Sequence, residues 1–169
     1  MGRFVGLVSL LTAGLIALAG PVQSQTPGGS WEQRTPVPAV RGEVAAAEVG
    51  GKLYAVGGNL ERKALPRNEE YDPATNRWRA RAPLPEPRDH LGVAAVDSKI
   101  YAFGGFASSV HQGAGNGAFE YDPANDSWRT LAPMNGPRSS AGVAVLGGKI
   151  HVIGGRGLDN VTGRHARGL

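Results

Sequence analysis

The sequence predicts an all-β fold made of repeated four-stranded units, and three observations carry that reading. Near-identical apolar runs each end in a glycine pair: KLYAVGG at Gly57 and Gly58, KIYAFGG at Gly104 and Gly105, KIHVIGG at Gly154 and Gly155. An arginine stands 17 residues before the second glycine of each pair, at Arg41, Arg88 and Arg138. A tryptophan stands 10 residues before each arginine, at Trp31, Trp78 and Trp128. The repeats are therefore 47 and 50 residues long. A period of that size, filled with short strands, points to a β-propeller.

The first element is a leader. Arg3 supplies a positive start, residues 4–19 are apolar apart from small or hydroxyl side chains, and Val22 and Ser24 suit cleavage before Gln25. This is the pattern of a secretory signal peptide over residues 1–24. The apolar run is a little short for a membrane anchor. The expected location is periplasmic or secreted, with no membrane attachment after cleavage. Residues 25–169 then form one propeller domain: an orphan outer strand at 31–40, a first repeat at 41–87, a second at 88–137 and a partial third at 138–169.

Within a repeat the strands follow in order. Strand A is a run of small and apolar residues, at 44–49, 91–96 and 141–146. Such a run is expected to be buried on both faces, at the crowded centre of a propeller. Two residues follow: Gly50-Gly51, Asp97-Ser98 or Gly147-Gly148. A two-residue loop of this kind is a β-hairpin turn. Strand B ends in the glycine pair, where other chain must pass close by. Strand C holds Phe119 and Tyr121 on one face and Glu120 on the other. Asp-Pro-Ala then favours a type I turn at 72–76 and 122–126. Strand D begins near Trp78 or Trp128 and alternates apolar with charged residues, so one face is wet. Burial is expected to fall from A to D, and both tryptophans to lie buried between blades.

The spacing divides framework from variation. Tryptophan to second glycine is 27 residues in all three copies. Second glycine to tyrosine is 13 residues at Tyr71 and 16 at Tyr121, so the B–C loop alone changes length. Variable loops on a rigid scaffold are where binding usually sits. The B–C and D–A loops emerge on one face, which is the expected ligand face.

Other features have plainer readings. The net charge of +4, or +3 without Arg3, is too small and too dispersed for nucleic acid. With no cysteine, disulfides and thiolate chemistry are excluded. His90, His111, His151 and His165 lack ligand spacing, so no metal is expected. The glycine pairs end strands with no helix following, unlike a phosphate loop. Glu69 and Glu70 are adjacent on a strand and point to opposite faces. Arg77, Arg79 and Arg81 read as a solvated rim. The strict recurrence of Arg41, Arg88 and Arg138 argues for a structural role, bonding loop carbonyls between blades. Two glycosylation sequons, at Asn125 and Asn160, carry little weight.

A glycine pair after strand B, Tyr-Asp-Pro, a tryptophan seven residues after the tyrosine, then a Pro-containing linker and an arginine, resembles the kelch repeat. The likeness runs from Trp31 to Gly155, with two whole signatures and the first half of a third; His151 replaces the strand B tyrosine. The resemblance implies pockets at the channel mouth, built from the residue after each glycine pair and from residues near the start of strand A. Carried over, these are Asn59, Phe106 and Arg156, with Glu43, His90 and Ser140. It implies no cofactor here, since the copper oxidases of the family need a cysteine cross-linked to a tyrosine.

Three functions stay open at this point. One is a non-catalytic recognition module for a protein or glycan. Another is a sugar-active enzyme such as a sialic acid mutarotase or epimerase, which needs a carboxylate or histidine near an arginine. The third is a fragment, because Arg164 and His165 stand where a third strand C should start and the pattern then departs. Counting a short C at 161–167, the strands make three blades, too few for a closed ring. Missing downstream repeats or a homodimer would complete one.

Overall fold

The computed structural model describes residues 28–108 and 113–157. The expected leader, the third strand C, His111 and His165 lie outside them.

Each full repeat folds as an antiparallel four-stranded sheet. The first contains β1 (Ala45–Val49), β2 (Lys52–Val56), β5 (Asn68–Asp72) and β6 (Arg77–Ala80), in that order across the sheet. The second contains β7 (Gly92–Val96), β8 (Lys99–Phe103), β9 (Ala118–Asp122) and β10 (Ser127–Thr130), likewise in chain order. The third repeat shows the hairpin β11 (Gly142–Leu146) and β12 (Lys149–Ile153). A small hairpin, β3 (Asn59–Leu60) with β4 (Lys63–Ala64), sits in the first B–C loop. Among the described residues there is no helix, and so none long and apolar enough to cross a membrane.

The turns follow the expected chemistry. Both residues of every A–B turn have positive φ, including Asp97 at 49° and Ser98 at 61°. That is the type I′ geometry matching strand twist. In the C–D turns, Asp72 Oδ1 accepts from Ala74 N–H at 2.9 Å and Asp122 Oδ1 from Ala124 N–H at 3.0 Å. Tyr71 and Tyr121 close the same turns by donating to Asn76 Oδ1 at 2.8 Å and Asp126 Oδ1 at 2.7 Å.

The core lies between the two full sheets. Tyr54, Val56, Leu84, Leu91, Ile100, Ala102, Phe119 and Tyr121 form one buried cluster. The Tyr54 and Tyr121 rings meet edge-on at 5.8 Å. Burial does not decline from A to D as expected. Strand C is the most buried in both full blades, and of the A strands only β7 is largely covered. Among the described residues, β7 has a repeat on either side, whereas β1 and β11 each border only one.

Strand C can be buried because its carboxylates are paired across the ladder. Glu70 is 1% exposed. It accepts from Arg79 at 2.9 and 3.0 Å and from the Tyr54 hydroxyl at 3.0 Å, and Lys52 lies 3.2 Å away. Burial alone would push Glu70 up, but the bonds from Arg79, Lys52 and Tyr54 outweigh it and hold the carboxyl below its usual range. Burial and the bond to Glu70 lift the Tyr54 phenol to about 12. The second blade repeats the device. Arg129 donates to Glu120 at 2.9 and 2.6 Å, with Lys99 at 3.2 Å, and Glu120 is held at about 2 chiefly by Arg129. Arg79 and Arg81 are therefore not merely a solvated rim. Arg81 crosses to the next blade, donating to Tyr121 Oη at 2.9 Å and Pro123 O at 2.6 Å.

The tryptophans are half-buried rather than enclosed. Each stacks on its tyrosine, at 5.1 Å for Tyr71–Trp78 and 4.9 Å for Tyr121–Trp128. Each indole N–H then clamps the preceding linker: Trp128 donates to Ala82 O at 2.8 Å and Trp78 to Thr35 O at 2.9 Å. Thr35 thus takes at the first blade the place that Ala82, just beyond the end of β6, takes at the second. Residues 31–40 nevertheless form no strand, and Trp31 is fully exposed. Among the described residues, Arg34 onward belongs to one compact unit, to which 28–33 do not belong.

The side chains of Arg41 and Arg138 bond within their own repeats, not between blades. Arg41 donates to Gly57 O at 2.8 Å and Ala55 O at 3.3 Å and pairs with buried Glu69. Arg138 donates to Gly154 O at 2.7 Å. Arg88 differs. The place of Glu69 is taken in the second blade by buried Phe119, so Arg88 turns to Glu86, and its buried Nε has no partner among the described residues.

Candidate functional site at the loop face

Every repeat brings the start of strand A against the residue after its glycine pair. Gly42 bridges Asn59, Asp89 bridges Phe106, and Ser139 bridges Arg156. The next residue in each case, Glu43, His90 or Ser140, has a left-handed φ of 55°, 51° or 52°. Side chains there cost about 1 kcal/mol relative to ordinary backbone. Surrounding hydrogen bonds hold them: His90 N–H donates to Glu43 O at 3.3 Å, and Ser140 N–H to His90 O at 2.8 Å. Three repeats thus present one side chain each along a continuous backbone track.

Glu43 from the first repeat and Asp89 from the second flank His90. Its Nε2 lies 3.1 Å from Glu43 Oε2, and its Nδ1 lies 3.2 Å from Asp89 Oδ1. The other Asp89 oxygen accepts from Asn59 Nδ2 at 3.3 Å. Asp89 is wholly buried, while the Glu43 side chain is about half exposed, at 47%. A buried carboxylate therefore orients an imidazole whose far nitrogen shares an exposed carboxylate at the surface. This group can donate and accept hydrogen bonds from a polar ligand, and it can relay a proton between neighbouring oxygens.

The framework around these side chains decides the family. The family profile described as "Kelch motif" matches residues 41–85 and 87–135. The chain belongs to the kelch-repeat family. The solved structure of YjhT is similar, at 26% identity and a TM-score of 0.63, over 75% of this chain and 37% of that one. The chain thus spans about a third of the length of that relative. No curated protein matches it.

Set on this kelch frame, the six candidates divide. Glu43, Asn59 and His90 come together. Phe106 joins them from below: its ring meets His90 edge-on at 5.4 Å, but it is fully buried and forms a floor, not a contact surface. Ser140 joins only through its backbone. Arg156 is fixed by two backbone bonds with Ser139, at 3.0 and 2.8 Å, and no described contact links its side chain to Glu43 or His90. Asp89 was missed by sequence reasoning. Its signal was that the kelch repeats differ there, with Gly42 and Ser139 in its place. Among the described residues no group of three or more His, Asp or Glu side chains is arranged to hold a metal ion.

Proposed function

We propose that this chain is a kelch recognition module that binds a protein or glycan on the loop face around Glu43 and His90. One observation carries the reading: the polar side chains that meet there stand at positions whose backbone is the same in all three repeats but whose residues differ. A repeated frame with unlike side chains suits selection of one ligand. The N-terminal leader pattern supports action outside the cytoplasm, in the periplasm or beyond. Screening the purified chain on immobilised glycans and displayed peptides tests it. Glu43→Gln and His90→Phe should each weaken capture at least tenfold, and capture that survives both substitutions overturns the reading.

A second reading, a sugar mutarotase or epimerase, is favoured by the Glu43–His90–Asp89 arrangement, which has the parts of an acid–base relay. NMR saturation transfer between the anomers of sialic acid separates the two. Exchange accelerated by the chain and lost in His90→Phe supports the enzyme; exchange at the uncatalysed rate sinks it.

A further inference from the structure

The inner junctions between repeats are made by the same few groups. Gly58 N–H donates to Arg88 O at 2.9 Å, and Gly105 N–H to Arg138 O at 2.8 Å. The N–H groups of His90 and Ser140 donate back to Glu43 O and His90 O. The arginine carbonyl sits against the first glycine of the pair. An added Cβ would lie 2.5 Å from Arg88 O at Gly57 and 1.9 Å from Arg138 O at Gly104. Leu91 also covers Gly57, with Cδ2 at 2.6 Å from such a Cβ.

Among the described residues, the two outer edges carry these groups without partners. At the third repeat, Gly155 N–H and Ser140 C=O have no hydrogen-bond partner among the described residues, and nothing lies within 4 Å of a Cβ added at Gly154. At the first repeat, Arg41 C=O and Glu43 N–H have none among them either, and Val44, the counterpart of Leu91, is 38% exposed. One edge offers a donor, an acceptor and a hollow. The other offers the acceptor, the donor and the side chain that fit them. Apolar residues follow the same rule. Leu53 at the first edge is 45% exposed, but its inner counterpart Ile100 is 0%. Ile153 at the third edge is 61% exposed, but its inner counterpart Val56 is 0%.

We propose that this chain associates head to tail with a second copy of itself, the third-repeat edge receiving the Arg41–Val44 segment of the partner. The contact is heterologous, so two copies related by a two-fold axis would use it twice. Three blade positions from each give a six-bladed ring, within the range propellers adopt.

Size-exclusion chromatography with light scattering on the purified chain tests this. The expected species is a dimer. Gly154→Asn fills the hollow with a residue that tolerates left-handed φ, and Val44→Asp puts a charge on the opposite edge. Each variant should elute as a monomer with an unchanged circular-dichroism spectrum. Mixed, they should pair again, more weakly, because each keeps one competent edge. Should Val44→Asp fail to fold, Leu53→Glu blocks the same edge. A folded wild-type monomer at the highest soluble concentration overturns the proposal. So does a dimer that survives both substitutions, or a mixture that stays monomeric.

Discussion

Gly104 and Gly154 occupy the same place in successive repeats, each followed by a second glycine and with nearly the same φ, 63° and 65°. Their surroundings are opposite. Gly104 lies beneath the next repeat's backbone, while no described atom lies within 4 Å of a Cβ added at Gly154. The difference teaches that a recurring framework residue records what a repeat expects of its neighbour, not what it touches. In a stacked-repeat protein much of the stability lies in the interfaces between neighbours. The inner junction holds the buried core and the edges hold the exposed Leu53, Leu146 and Ile153.

The sharpest way to break the comparison is to place the same side chain at both glycines. Gly104→Asn drives a Cβ into the Arg138 carbonyl, which is backbone and cannot swing aside. The expected loss is about 3 kcal/mol or more, at the upper end of overpacking effects. Gly154→Asn meets no described atom, so it should cost only what an asparagine pays at left-handed φ, about 1 kcal/mol or less. Denaturant titration of each variant at concentrations where only single chains are present would measure both. Equal losses would mean that the glycines are needed for φ alone.

The same contrast marks how far the sequence could be read. Strand B and the A–B turns were legible to the residue, because a two-residue turn and a terminal glycine pair leave one register. Membership of the kelch family was legible in Tyr-Asp-Pro and the spaced tryptophan. The site was only half legible. The positions of Glu43, Asn59 and His90 could be carried over, but their meeting depends on left-handed backbone at two non-glycine residues, Glu43 and His90, which no turn signal announces. Asp89 was hidden because it is one buried carboxylate among ordinary loop residues. The divergence of Arg88 from Arg41 turns on Phe119 replacing Glu69 on another strand. The small hairpin at Asn59–Ala64 turns through Glu61 and Arg62, neither a usual turn former.

A second test compares the two full blades with the third repeat, where Lys149 has no described strand C carboxylate beside it. Glu120 titrates at about 2 in the folded chain against 4.5 when free. A depressed carboxyl contributes stability that is fully present above the unfolded value and is lost as pH falls through the folded one. Stability should therefore decline from about pH 4.5 towards about 2. Glu70 acts in the same direction. Glu120→Gln cannot change charge, so the variant should be less stable at neutral pH and lose less on acidification. Melting temperatures measured from pH 6 to pH 2 as a function of buffer alone would show it; parallel curves for variant and wild type would remove Glu120 from the acid limb.

The smallest effect separates two arginines that the sequence makes look alike. Arg77 and Arg79 lie on one face of β6, two residues apart, and both are exposed. Arg77 has no ion pair among the described residues, and Arg77→Ala should fall within about 0.5 kcal/mol of wild type. Arg79 is 58% exposed at the side chain, but its two donors end on Glu70, which is 1% exposed. Removing it leaves a buried carboxylate with Lys52, Tyr54 and Arg81 still nearby. Bonds to a buried charge are worth about 1.5–3 kcal/mol. Solvent screening at Arg79 and the remaining partners reduce that, so Arg79→Ala should cost about 1 kcal/mol. Adding Lys52→Met to Arg79→Ala should then cost more than the two single changes together, because each cation covers for the other at the same carboxylate. A double-mutant cycle by urea unfolding reads this directly. Strict additivity would show that Glu70 is satisfied by Tyr54 and Arg81 alone, and that Arg79 belongs with Arg77 on the rim.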